Sequence, residues 1–356
     1  MKHRVIQLLH PLFSALYILL SSLLLHPSEV SAENGSVQLC LTEAADYSPV
    51  YPTRVFPSNT REIAAVAHLG ATDTYKVMTG TWIAVDVGKA APPNTEVAKA
   101  DITLDKMKKL AFRLSVMGSM PVGKYRLDVM ADGKPWKSTE FTVVEVAKAP
   151  EMKKPEDLLP LRQGQMWTYA FVQQPGEGAK ITLPGVTPDP EGKFRATVTM
   201  AVADKDAAGT RLDLKRNGAL VFQEWWRLDE NGLVSTQRKA VNPQVKDAME
   251  DLVQNPVIKL DPPQQLLRWP LTAPQTWTYT PKDGAYSQTI RSWGPLPIKG
   301  PSGEAPGYLI FLQQKERLGT LTAERHWIPG VGLVREIIIS TVGDKLAGRT
   351  EMVLQK

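Results

Sequence analysis

The chain reads as almost entirely β, in two domains, on three observations. Apolar and polar residues alternate with period two from about Thr74 to the C-terminus. The alternating runs are separated by turn signals built from Gly, Asp, Asn and Pro. One landmark strand occurs twice in the C-terminal part.

Residues 1–32 differ from everything after them. Lys2, His3 and Arg4 open the chain, an apolar run from Leu12 to Leu25 follows, and Val30-Ser31-Ala32 makes a small-residue exit. That layout predicts a secretory signal peptide cleaved before Glu33. The competing reading is an uncleaved anchor helix, but His10 and Pro11 interrupt the stretch, which falls short of the roughly 20 residues a span needs. No later segment approaches the roughly 18 continuous apolar residues of a membrane helix. The mature chain is therefore expected to be secreted or periplasmic, with no transmembrane segment.

The net charge of +5 is dispersed, with no Lys/Arg stripe and no nucleic-acid motif, which argues against a nucleic-acid partner. Cys40 is the one cysteine, so no intramolecular disulfide forms and stability rests on packed cores. Leu39 stands where a lipid-attachment site wants a small residue, so Cys40 reads as a free or intermolecular thiol in preference to a lipidated one.

Residues 33–64 hold Ser, Thr, Pro and Asn without clear period and read as a loosely structured lead-in. Regular strands follow. Thr81, Ile83, Val85 and Val87 share one face of an extended segment, with Trp82 and Asp86 on the other. Leu110–Val116 alternates, as does the Tyr125, Leu127, Val129 series. Asp132-Gly133 supplies the positive φ angles of a tight hairpin, and Phe141 to Val146 returns. Short strands between such turns predict an immunoglobulin-like β-sandwich over residues 65–146. The charged stretch 147–157, with prolines at 150 and 155, predicts a semi-extended linker.

Residues 158–356 predict a long-stranded antiparallel sheet, half-barrel-like and internally duplicated. Pro160–Tyr169 matches Pro270–Tyr279 at six of ten positions. Later in each half an aromatic strand precedes Gly-Leu-Val: Glu224-Trp225-Trp226-Arg227 before Gly232, and Glu324-Arg325-His326-Trp327 before Gly332. The halves span about 158–240 and 268–356. Between them Val245, Ala248, Met249, Leu252 and Val253 recur at helical spacing behind Asn242 and Pro243, predicting one short helix over 242–256.

Pro160–Tyr169 and Trp327–Val334 together resemble a group of uncharacterised bacterial secreted and periplasmic proteins. These pair a Pro-Leu-x-x-Gly-x-x-Trp-x-Tyr opening strand with a Trp-x-x-Pro-Gly-Val-Gly-Leu-Val closing hairpin. The second opening strand departs from the pattern, with Pro274 where glycine is expected. The resemblance implies a long-stranded antiparallel sheet and brings no catalytic residues.

The residues give little support to catalysis. After the leader the chain holds two histidines, His68 and His326, outside any metal-ligand spacing, and there is no nucleophile elbow or phosphate-cradling loop. The carboxylates Asp229 and Glu230 lie in a turn. No cofactor, metal site or catalytic residue is expected. The binding candidates are aromatic: seven of the nine tryptophans lie in the C-terminal domain. Trp167, Trp277, His326 and Trp327 read as structural before functional. Trp225 and Trp226 are the stronger candidates, because adjacent strand residues point to opposite faces and only one of the two indoles can enter the core.

Three readings remain open, of which the first is preferred. It is a non-catalytic interaction or assembly protein of the cell envelope with a protein partner, and it predicts a filled sheet interior with aromatic patches outside. The second, a carrier of a hydrophobic or amphiphilic ligand in the half-barrel, predicts a deep apolar groove beside Trp225 or Trp226. The third, an envelope-polymer hydrolase, requires His326 or a carboxylate pair to converge on a cleft.

Overall fold

The computed structural model describes residues 35–355 except 44–46, 48, 71–72, 106, 149–150, 177–178, 180, 184, 242–255, 272–274, 318 and 344. The expected signal peptide and nearly all of the expected helix at 242–256 lie outside the described residues. Those described are almost all β-structure, apart from single 3-10 turns at Gly88–Ala90 and Pro155–Asp157. No helix among them is long and apolar enough to cross a membrane.

The N-terminal domain is a sandwich of two sheets. One sheet has the order β2-β1-β4-β7, from β1 (Ser36–Glu43), β2 (Pro49–Pro52), β4 (Glu62–His68) and β7 (Lys109–Ser115). The other runs β3-β9-β8-β5-β6, from β3 (Val55–Pro57), β5 (Val77–Asp86), β6 (Thr95–Thr103), β8 (Gly123–Ala131) and β9 (Lys134–Val144). Trp82, Phe56, Tyr125 and Phe141 meet between the sheets, with Phe141 edge-on to Trp82 and Phe56 and stacked on Tyr125. The buried face of β5 is therefore that of Met78, Trp82 and Ala84. Asp132 and Gly133 take φ of +47° and +77° in the β8–β9 hairpin. The Asp132 carboxylate accepts the Lys76 and Val77 N–H groups, both at 2.9 Å, which ties the turn to the start of β5.

The expected lead-in at 33–64 is corrected by this arrangement: it supplies β1, β2, β3 and the start of β4, and the sandwich begins at Ser36. The physical reason is burial on both faces. Leu39 and Leu41 enter the inter-sheet core while Cys40 packs with Ala64 and Val66 on the opposite face. In β4, Ile63 to Ala67 are all buried. Strands covered on both sides lose their period-two signature. Cys40 is fully buried in mid-strand, and desolvation pushes its thiol up to about 12.

The C-terminal domain is one nearly closed antiparallel sheet of twelve strands. Its first meander is β10 (Met166–Pro175), β11 (Phe194–Asp206), β12 (Gly209–Arg216), β13 (Ala219–Asp229), β14 (Gly232–Ala240) and β15 (Val257–Arg268). Its second is β16 (Gln275–Tyr279), β17 (Tyr286–Gly300), β18 (Gly303–Glu316), β19 (Gly319–Ile328), β20 (Gly332–Val342) and β21 (Lys345–Leu354). Strand β10 pairs with β21 and joins the two. The repeated landmarks fall on equivalent strands: Trp167 on β10 and Trp277 on β16, Trp226 on β13 and Trp327 on β19, with Gly232 and Gly332 opening β14 and β20. The first unit also includes β15, beyond the boundary expected at residue 240.

Strands β15 and β16 form the two ends of the sheet and, among the described residues, share no ladder. Pro262 and Pro263 in β15 have no N–H to offer a neighbour. The seam is bridged instead by single bonds, from Trp277 Nε1 to the Gln265 carbonyl at 3.1 Å and from the Lys282 N–H to the Asp261 carbonyl at 2.9 Å.

The sandwich sits on the outside of this barrel. Leu296, Ile298, Leu309, Phe311, Ile328 and Val334 belong to the same apolar core as the sandwich, and the Phe311 ring lies 5.6 Å from that of Tyr51. The connecting segment is also anchored: the Ala147 N–H donates to the Pro295 carbonyl, and Leu158 and Leu159 are buried in the barrel core.

Candidate functional site

Alternation along β13 sends Phe222, Glu224 and Trp226 to the barrel interior and Trp225 to the other face. Trp225 is nonetheless covered, at 8% exposure, and its Nε1 donates to Asp206 Oδ2 at 2.9 Å. That bond is the main reason the Asp206 carboxyl is held below its ordinary value. Trp226 lines an interior cavity with Tyr169, Trp327, Arg325, Glu336 and Glu224. The other tryptophans fix strand ends. Trp167 Nε1 donates to the Val331 carbonyl at 2.8 Å in the β19–β20 turn, and Trp327 Nε1 to the Leu158 carbonyl at 3.2 Å.

A polar file crosses the interior beside these aromatics. Glu224 Oε1 accepts from Ser235 at 2.6 Å and from Arg238 Nε at 2.9 Å. Arg238 donates onward to Gln264, and Gln264 donates across the β15–β16 seam to Gln288. Gln288 donates to Gln314, and Gln314 to Glu316, each at 2.6 Å. Opposite, Arg325 Nε donates to Glu336 Oε1 at 2.6 Å. Burial raises the Glu336 carboxyl above its ordinary value; Arg325 opposes the rise and the Glu224 charge adds to it.

Because the folded chain holds this proton more tightly than the unfolded one, the associated stability is complete below the unfolded carboxyl pKa of about 4.3. It is lost as pH rises through the raised folded value. Glu336→Gln is expected to flatten that decline, read as urea midpoints at a series of pH values. Parallel curves for wild type and variant would show that Glu336 is not the group responsible.

The interior cavity measures about 60 Å³. Pockets for ordinary ligands run to roughly 300–1,000 Å³, so this volume suits a few waters and no acyl chain. The deep apolar groove required beside Trp225 or Trp226 is absent among the described residues. Of the tryptophans, Trp136, Trp269 and Trp293 are half-buried and the rest are buried.

The larger hollows flank the seat of the sandwich. One of about 430 Å³ is bordered by Leu41, Asn59, Arg61, Glu62, Arg291 and Trp293. The other, of about 530 Å³, lies between β1 with the β2–β3 segment on one wall and β19, β20 and β21 on the other. His326 is here. Beyond the register shift after His326, the odd residues Arg335, Ile337 and Ile339 face the cleft, as do Thr322, Glu324 and His326. His326 Nε2 and Glu324 Oε1 are 2.7 Å apart. Among the described residues no hydroxyl or thiol hydrogen-bonds to His326, and no cluster of His, Cys, Asp and Glu is arranged to hold a metal ion.

Sequence reasoning did not single out Glu224, Arg238, Arg325 or Glu336, nor the arginines of the outer cleft. The available signal was a charged residue at an inward position between apolar ones, as in Phe222-x-Glu224-x-Trp226.

No protein-family model and no curated protein matches the chain. Solved structures similar to it include a Bacteroides fragilis protein assigned to the exported class with a YmcC-like fold, at 11% identity and TM-score 0.26, covering 56% of this chain and 97% of that one. A Parabacteroides distasonis protein assigned as a lipoprotein matches at 11% identity and TM-score 0.23, with the same coverage. A chain from the crystal structure of Dpr2 Ig1-Ig2 in complex with DIP-Theta Ig1-Ig3 matches at 11% identity and TM-score 0.18, covering 91% of this chain and 90% of that one. At these scores none of the three bears on what the chain binds.

Proposed function

We propose that this is a non-catalytic interaction or assembly protein of the cell envelope, exported by its N-terminal leader, and that its binding surface is the junction between sandwich and barrel. The observation that carries the reading is where the space lies. The barrel interior keeps about 60 Å³, whereas the junction offers hollows of about 430 and 530 Å³ with walls from both domains. Domain junctions are where binding sites concentrate. A barrel filled with tryptophans and a hydrogen-bonded polar file acts as a wall, and the sandwich seated on it completes the surface.

Native mass spectrometry of the chain from Glu33 to Lys356, purified gently from an envelope fraction, tests this. The expected spectrum shows the bare chain or the chain with a protein partner, and partner binding is lost in Ile337→Asp. A co-purifying mass of lipid size that leaves on denaturation, and is lost in Trp226→Ala, would overturn the reading in favour of a carrier.

A further inference from the structure

We propose that the 530 Å³ cleft holds an anionic ligand, one with a carboxylate or phosphate group on a compact apolar body, and that Arg54 and Arg349 bind its charge. The inference deepens the reading above and rests on the junction being the binding surface.

The cleft has the volume of an ordinary ligand pocket. Its apolar lining comes from Leu39 and Val37 on one wall and from Ile337 and Ile339 on the other, among polar side chains. Its cations are all arginines: Arg54 from the sandwich, Arg335 and Arg349 from the barrel. A guanidinium offers five N–H donors in a planar fork that matches carboxylate and phosphate oxygens, which a lysine does not.

The barrel arginines are positioned in advance. Arg335 donates through Nε at 2.9 Å and Nη2 at 2.6 Å to Glu351 Oε1, and Arg349 Nη2 donates to Glu351 Oε2 at 2.8 Å. These bonds hold the Glu351 carboxyl below its ordinary value, although burial pulls it upward. Two guanidiniums thus share one carboxylate, and Arg349 commits a single N–H of its five. Facing them, Arg54 is exposed and has no ion pair or side-chain hydrogen bond among the described residues. The acid on the barrel wall, Glu324, is bonded to His326 at 2.7 Å. With Arg54, Arg335 and Arg349 set against Glu324 and Glu351, the cleft keeps a surplus of positive charge and donors enough for an oxyanion.

Isothermal titration of the exported chain with inorganic phosphate and, separately, with glucuronate tests the assignment. One probe is expected to saturate a single site per chain, phosphate marking a phosphate head group and glucuronate a carboxylate. Arg54→Gln and Arg349→Gln should each weaken that binding by about tenfold. Arg113→Gln, at the Glu43 ion pair outside the cleft, should leave it unchanged. Failure of both probes to saturate, or affinity that survives both cleft substitutions, overturns the assignment. A protein partner held through the junction with no anion bound sinks this inference alone, and a lipid-sized mass inside the barrel sinks the reading beneath it.

Discussion

Arg238→Ala is expected to lower the unfolding free energy by about 3–5 kcal/mol, measured by urea denaturation of the whole chain. Arg238 and Glu224 are the most thoroughly buried ion pair in the barrel, with side-chain exposures of 3% and 2%. Truncating the arginine takes from the buried Glu224 carboxylate its cationic partner, with Ser235 remaining as a hydroxyl donor, and takes from Gln264 the group that fixes its amide. Gln264 in turn bridges the β15–β16 seam, so the loss reaches the place where, among the described residues, neighbouring strands share no backbone ladder. The cost arises from an uncompensated buried charge more than from the lost bond itself. Replacing both partners by apolar residues of similar size, Glu224→Leu with Arg238→Met, should therefore recover most of the deficit. A single-variant cost below about 1 kcal/mol would place the pair in solvent and break the description of the interior.

How much of this was legible beforehand depended on which faces of each strand are covered. β8 is buried on one face, and its Tyr125, Leu127 and Val129 announce themselves by alternation. β1 and β4 are buried on both, so Leu39-Cys40-Leu41 and the run from Ile63 to Ala67 carry no period, and residues 33–64 read as lead-in. The duplication was legible because Trp167 and Trp277, and the glycines at 232 and 332, do equivalent jobs in both meanders. Closure of the barrel was not, because it rests on isolated bonds, Gln264 to Gln288, Trp277 to Gln265 and Lys282 to Asp261, beside prolines that read equally well as loop. The pairing of Trp225 with Trp226 correctly assigned one indole to each face. It did not reveal that Asp206 covers the outer one, a partner 19 residues away on another strand. His326 was visible as a lone strand histidine; the three arginines around it come from three separate segments, and Arg54 joins Arg335 and Arg349 only when the sandwich docks.

The repeat makes a sharper test, because two glycines with the same role face different neighbours. Gly232 and Gly332 both adopt positive φ, +120° and +105°, a region that residues with a β-carbon resist. A β-carbon at Gly232 would run into the Leu267 carbonyl and lie 2.9 Å from the Trp269 nitrogen, both backbone atoms of β15 and its exit. At Gly332 the nearest obstacle is Leu159 Cδ1 at 2.7 Å, the far end of a side chain able to turn aside. Gly232→Ala must therefore push a strand and strain the backbone together, at a cost on the order of 3 kcal/mol or more. Gly332→Ala carries mainly the backbone strain, about 1–2 kcal/mol. Denaturation midpoints of the two variants should differ in that order. The strand displaced by Gly232→Ala is the seam strand, so amide exchange in β15 and β16 should quicken in that variant and stay slow in Gly332→Ala. Equal midpoints and unchanged exchange would mean that β15 yields freely to the added methyl group, and that the seam is held by something other than the close packing of β14 against it.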